Sequence, residues 1–182
     1  MRKEIVLSGY GGQGLLMAGV LLGEAIALYE SMNVTQNQSY GVQARGGTSR
    51  SEVVISDEEI NYAEIEEPDI LLAMSQSALN EYGPKVKDNA LVIVDSSFVE
   101  DMSPVKNTRN IHRIPITEIS RDRTGKAMLA NVVALGALST LSRVVSKDSL
   151  EKEIAKRAPT GTEEINLRAL AGGITEAEKL LK

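Results

Sequence analysis

Close to its start the chain sets an apolar, β-branched run, Glu4-Ile5-Val6-Leu7, directly before Gly9-Tyr10-Gly11-Gly12-Gln13-Gly14, and an apolar stretch of helical length, Leu15 to Leu28, directly after it. A buried parallel strand reads as a near-continuous hydrophobic run, so the order implies strand, tight turn, buried helix. The glycines permit positive φ and close approach of a neighbour, while the first N–H groups of the helix point outward at the turn. Such a turn suits an anion, a phosphate for instance. Literally, Gly9-x-Gly11-x-x-Gly14 matches a dinucleotide fingerprint in the required context. A dinucleotide site also needs an acid at the end of the second strand for the ribose. Here that strand, near Asn33 to Gln38, ends in amides, and Glu30 falls before it, which argues against NAD or FAD. The alternative is that the glycines serve only the turn and helix–strand packing.

At 182 residues the chain fits one domain, 1–182, with a sizeable core. Only one Phe and no Trp stand among the 42% hydrophobic residues, so the core is aliphatic, which suits helices packed on a sheet. The net charge of −5, without a basic cluster interleaved with aromatics, argues against a nucleic-acid partner. No signal peptide is visible and no apolar run reaches the ~20 residues of a membrane span, so a cytoplasmic location is expected. The absence of cysteine excludes disulfides, a thiol nucleophile and cysteine-held iron–sulfur clusters. The single histidine, His112, cannot form a zinc site alone and reads as the outward position of a late strand.

Further along, Ser39-Tyr40-Gly41-Val42-Gln43-Ala44-Arg45-Gly46-Gly47-Thr48-Ser49 joins the second strand to another at Arg50 to Ser56. Arg45 with the amides of Gly46 and Gly47 could hold a carboxylate or phosphate through charge-assisted bonds, or the glycines could simply form a hairpin or crossover turn. Asp69 to Met74 and Ala90 to Asp95 read as buried strands. Ser75 caps a helix through Leu79 and Tyr82, stopped by Gly83-Pro84. Asp95 lies where open parallel sheets place ligand groups, as a site acid or a loop cap. An irregular connector, 101–110, precedes the strand at Ile111 to Ile116, and Thr117 to Thr124 reads as a charged surface segment. Lys126 to Val145 reads as one buried or interface helix rich in small residues. Two amphipathic helices, Asp148 to Arg157 and Thr162 to Leu181, flank Pro159-Thr160-Gly161. The alternation of strands and helices predicts an α/β fold: a mainly parallel sheet with helices on both faces and a helical C-terminal tail.

The two glycine segments together, with Ala130-Asn131-Val132-Val133-Ala134-Leu135-Gly136-Ala137 and Asn166-Leu167-Arg168-Ala169-Leu170, resemble the gamma subunit of 2-oxoacid:ferredoxin oxidoreductases over nearly the whole chain. The resemblance implies a three-layer, Rossmann-like domain in a complex with alpha, beta and ferredoxin-like delta subunits. That complex decarboxylates a 2-oxoacid using thiamine diphosphate and magnesium, forms an acyl-coenzyme A, and passes electrons through iron–sulfur clusters to ferredoxin. This chain lacks both cysteine and the Gly-Asp-Gly…Asn arrangement that holds magnesium diphosphate, so binding and interface are its expected share and no catalytic or metal-ligating residue is assigned. The resemblance points to Gly9, Gly11, Gly12, Gln13 and Gly14 as an anion or packing loop, and to Arg45, Gly46, Gly47, Thr48 and Ser49 as a loop facing coenzyme A and the active site. Pyruvate, 2-oxoglutarate, branched-chain oxoacids and indolepyruvate all remain open as substrates, with a lean to 2-oxoglutarate because the chain is short and separate. A homodimer is an open possibility for the isolated chain. Two other readings stand beside this one: a self-sufficient nucleotide-binding module, and a scaffold whose glycines serve packing alone.

Overall fold

The computed structural model describes residues 1–40 and 48–182. Six strands, β1 (Arg2–Tyr10), β2 (Asn33–Tyr40), β3 (Thr48–Ser56), β4 (Ile70–Ala73), β5 (Leu91–Asp95) and β6 (Ile111–Ile114), form one sheet in the order β2-β3-β1-β4-β5-β6. The pairs β1–β4, β4–β5 and β5–β6 are parallel, whereas β3 runs antiparallel to both its neighbours. Thus β3 alone opposes the common direction. The second strand's return is a hairpin, and it inserts β3 between β1 and β2.

Among the described residues six α-helices cover the sheet: α1 (Leu15–Tyr29), α2 (Gln76–Tyr82), α3 (Ile116–Thr124), α4 (Ala130–Ser142), α5 (Lys147–Arg157) and α6 (Glu163–Lys179). Strand alternation splits the buried residues cleanly in two. Ile5, Leu7, Val53, Ile55, Leu72 and Ile93 pack with α1, α4, α5 and α6, while Val6, Val54, Leu71, Val92 and Val94 pack with α2 on the other face. Period-2 geometry accounts for both cores, since a strand buried on both sides needs apolar residues at every position.

Several boundaries differ from expectation: Gly9 and Tyr10 belong to β1 and not to the turn, and Thr48 and Ser49, expected in a loop, open β3, because the β1–β3 ladder runs to the Tyr10–Thr48 pair. Thr117 to Thr124 forms helix α3, with Thr117 and Ser120 buried, because Ile116 anchors its first turn in the core. The long helix from Lys126 is shorter than its composition suggests: a 3-10 turn at Ala127–Leu129 precedes α4, and Arg143, at φ 57, ends it by donating its N–H to the Ser139 carbonyl. Thirteen residues make about 20 Å, too short for a bilayer. Indeed, among the described residues no helix is long and apolar enough to cross a membrane.

The small residues of α4 serve contact with α6. A Cβ placed on Gly173 would lie 1.9 Å from the Val133 carbonyl oxygen, and one on Gly136 would lie 2.2 Å from that of Leu170. The two helices touch backbone to backbone. Because no flexible side chain can yield there, Gly173→Ala must drive the helices apart, and overpacking of this kind costs about 3 kcal/mol. The expected result in urea unfolding is a lower midpoint with an unchanged slope.

At the opposite end of the sheet from the glycine turn, Lys87 Nζ donates to Glu4 Oε2 and to Asp69 Oδ2, both at 3.0 Å, and Asp69 also accepts from the Glu4 N–H at 2.9 Å. Burial pushes the Asp69 carboxyl up, but the Lys87 ammonium and the Glu4 amide together hold it below its ordinary value of 3.8. Burial likewise lowers Lys87, and its two carboxylate partners more than offset this. A depressed carboxylate adds stability above its unfolded value, lost as pH falls through the folded one; a raised lysine adds stability that is lost only at alkaline pH. Lys87→Met is therefore expected to cost about 1 kcal/mol near neutrality. The gap to wild type should narrow once the pH drops below about 4, as read by unfolding midpoints across the acid range.

Candidate functional site

The first glycine segment meets the last residues of the second because β1 pairs with β3: Gly9 stands opposite Ser49 and Tyr10 opposite Thr48. Ser49 is buried and its hydroxyl donates to the Gly9 and Tyr10 carbonyls at 3.4 and 3.3 Å, while Ser8 Oγ donates back to the Ser49 carbonyl at 3.1 Å. Ser49 thus spends its hydroxyl on β1. Thr48 Oγ1 is 3.4 Å from Glu81 Oε2 on α2. Arg45, Gly46 and Gly47 lie outside the described residues.

Within the first loop each residue has a distinct part. Gln13 Oε1 accepts the Tyr10 N–H at 2.7 Å and its Nε2 donates to the Met74 carbonyl at 3.0 Å, so this amide closes the turn and ties it to the end of β4. Gly9 is enclosed by Gln13, Leu15 and Met74, each within 3 Å of where a Cβ would stand. Gly14 takes φ 74 as the residue before α1 and presses on Asn131, whose Nδ2 donates to the Gly14 carbonyl at 3.2 Å. Gly12, at φ 91, has open space beside it. Hence Gly9 and Gly14 face neighbours, while Gly11 and Gly12 face outward.

Two clefts flank this turn. One, of about 450 Å³, runs between the start of α1 and the β2–β3 hairpin, lined by Gly11, Gly12, Met17, Gln38 and Ser49. The other, of about 380 Å³, lies between Gly12, Gly14 and Met17 on one side and Met128, Asn131, Arg157, Pro159 and Asn166 on the other. Its lining is largely apolar, and Met17 and Met128 leave half or more of their surface exposed. Arg157 on its rim is held by Glu24, with Nε to Oε2 at 2.8 Å and a second, close contact from Nη2, and also by the fully buried Glu153. The contact with Glu24 chiefly, and Glu153 after it, raises the Arg157 guanidinium above its ordinary value. Spacing alone did not single out Asn131, Met128 or Arg157. Asn131 and Asn166 do fall in segments quoted above, which therefore converge on this cleft from distant parts of the chain.

Asp95 is fully buried, and both oxygens are engaged: Oδ1 accepts the Ser97 N–H at 3.0 Å, and Oδ2 accepts the Thr117 hydroxyl at 2.5 Å and its N–H at 3.2 Å. It ties the end of β5 to the start of α3, as a cap does. His112 sits half-buried on β6 with Nε2 3.0 Å from Asn110 Oδ1, and burial pushes its imidazole down. Among the described residues no cluster of His, Asp or Glu could hold a metal ion. With three acceptor contacts to lose, Asp95→Ala is expected to destabilise the fold by about 2–3 kcal/mol. A complex assembled with the milder Asp95→Asn should keep its turnover per folded enzyme, because Asp95 touches structure alone.

A mixed sheet with a strand–glycine turn–helix at its centre and helices on both faces defines a three-layer, Rossmann-like α/β domain. The family model for pyruvate ferredoxin/flavodoxin oxidoreductase matches residues 4–176, and the chain belongs to that family. Among its relatives is a 2-oxoglutarate synthase subunit KorC of Methanocaldococcus jannaschii, 46% identical over 99% of this chain and 96% of that one. The structure of a keto/oxoacid ferredoxin oxidoreductase gamma subunit from Geobacter sulfurreducens superposes with a TM-score of 0.89 at 38% identity, covering 98% of both chains. A 2-oxoglutarate:ferredoxin oxidoreductase from Magnetococcus marinus shares the fold, with a TM-score of 0.84 at 22% identity, this chain spanning 31% of its length. The protein is a gamma subunit of a multi-subunit oxoacid oxidoreductase.

Proposed function

We propose that this gamma subunit serves a 2-oxoglutarate:ferredoxin oxidoreductase and that its glycine-turn face borders the place where coenzyme A enters. The observation that carries the reading is the 46% identity, at nearly full length, to a 2-oxoglutarate synthase subunit. In that reaction 2-oxoglutarate and coenzyme A give succinyl-CoA, carbon dioxide, a proton and two electrons, which reduce ferredoxin. Thiamine diphosphate, when bound in such a complex, supplies the electron sink for decarboxylation. A chain without cysteine cannot ligate a cluster through thiolate, and this one lacks the thiamine-diphosphate signature, so the cofactors belong to the alpha, beta and delta subunits.

On this reading the chain orients and encloses. Gly12 brings bare backbone to the rim of both clefts, and Gly11 to the one beside the hairpin, where a partner subunit or an elongated ligand approaches closely. Tyr40 and Thr48, which flank the Arg45 segment in the chain, stand at the glycine-turn end of the sheet, since Tyr40 and Gly9 both pair with Ser49. A guanidinium there meets the phosphates of coenzyme A with charge-assisted bonds. The favoured packing around Gly9 supports a structural part for that residue within the same loop, not a separate nucleotide module.

Two measurements test the proposal. Tagged chain purified from its native host should bring down larger subunits that reduce a viologen dye with 2-oxoglutarate and coenzyme A; recovery of the chain alone, without activity, would reject the assignment. In the assembled complex, Arg45→Ala should raise the KM for coenzyme A about tenfold, the loss of about 1.4 kcal/mol of binding, or else weaken assembly. Unchanged kinetics together with unchanged assembly would exclude the coenzyme A contact.

A further inference from the structure

The two edges of the sheet are treated very differently. β6 is four residues long, half-buried, and bears His112 and Arg113, with Arg113 Nη2 tied to the Val99 carbonyl at 3.3 Å. Short, charged edges of this kind resist pairing with another strand. β2, at the other edge, is eight residues long and reads Asn33-Val34-Thr35-Gln36-Asn37-Gln38-Ser39-Tyr40. It contains no charge, no proline and no glycine. Among the described residues its outer backbone edge has no strand partner.

Beside that edge, on the α1 side, runs a groove of about 250 Å³ lined by Val20, Gly23, Glu24, Ala27, Val34 and Gln36. The helix presents small side chains there at Val20, Gly23 and Ala27, one helical stripe. Among the described residues Glu24 is the only charge lining the groove, and Arg157 neutralises it from the α5 side.

We propose that this edge and groove dock a second copy of the chain, the two β2 strands pairing antiparallel across a twofold axis with α1 lying beside its counterpart. Four arguments favour that occupant. An open strand edge accepts another strand through its backbone groups. An antiparallel, isologous contact sets the same residues against themselves. The chain carries a net charge of −5, but this row of amides and hydroxyls carries none, and Asn and Gln both donate and accept, so the row is complementary to itself. A stable interface buries about 800 Å² per partner, more than one strand provides, and the α1 groove extends the contact along the helix. The result is one continuous sheet shared by two gamma subunits.

The inference is independent of which oxoacid the complex uses, and the isolated full-length chain tests it. Sedimentation or light scattering should give twice the monomer mass at micromolar concentration. Ala27→Arg in the groove and Asn37→Lys on the edge should each raise the dissociation constant by about tenfold or more, with circular dichroism unchanged. Because the chain has no cysteine, Asn37→Cys offers a second readout: mild oxidation should give a covalent dimer, whereas Lys106→Cys, on the far connector, should not. A monomer at all concentrations overturns the proposal. So does a dimer that neither charged variant weakens, or equal crosslinking at both cysteine positions.

Discussion

The antiparallel pairing of β1 with β3 is the contact on which the rest of this domain's functional end depends. It sets Gly9 against Ser49, forty residues apart in the chain, and seals that meeting with hydroxyl-to-carbonyl bonds in both directions. Only then do the glycine turn, the first turn of α1 and the root of the hairpin share one edge of the sheet. Gln13 fixes the turn from below through Met74, and Asn131 fixes it from the side through the Gly14 carbonyl. The turn's shape is thus set by three elements that are distant in sequence. That is how a rigid scaffold offers otherwise bare backbone to a partner.

Much of the fold could be read from residue order. The apolar runs at Ile5, Leu71 and Ile93 announced strands buried on both faces, and Ser75 announced the start of α2, where its hydroxyl does accept the Ala78 N–H. The place of β3 could not be read that way. A strand's direction and neighbours are set by pairing over long distances, and Val53-Val54-Ile55 looks equally apolar whichever way it runs. The end of α4 was hidden for a related reason: Arg143 enters a left-handed conformation that its residue type does not favour, imposed by the turn toward α5. In the site, spacing marked the glycines but not Asn131 or Arg157, which reach the clefts only through tertiary packing. Resemblance to a known family marked the segments that hold Asn131 and Asn166, but not that of Arg157, before their contacts were visible.

The polar groups that look most like chemistry are occupied by structure. Asp95 caps α3, Glu153 lies fully buried among Lys156, Arg157 and Tyr29, and Glu24 is bound to Arg157. A buried carboxylate without such partners would be too costly to keep. What the domain leaves unspent is of another kind: outward glycine backbone, exposed methionines and an uncharged strand edge. These are the means of contact and fit, in keeping with a subunit of a larger oxidoreductase.

The backbone contact between α4 and α6 bears on the order in which this domain can form. All six strands have been made by residue 114, yet Leu170, Ile174 and Ala177 of α6 belong to the larger core, and Asn166 lines the cleft beside the glycine turn. On the ribosome the larger core therefore stays incomplete until the last helix emerges. The cleft acquires its final wall at that same moment, so a nascent chain has no finished partner-facing surface before the domain is closed.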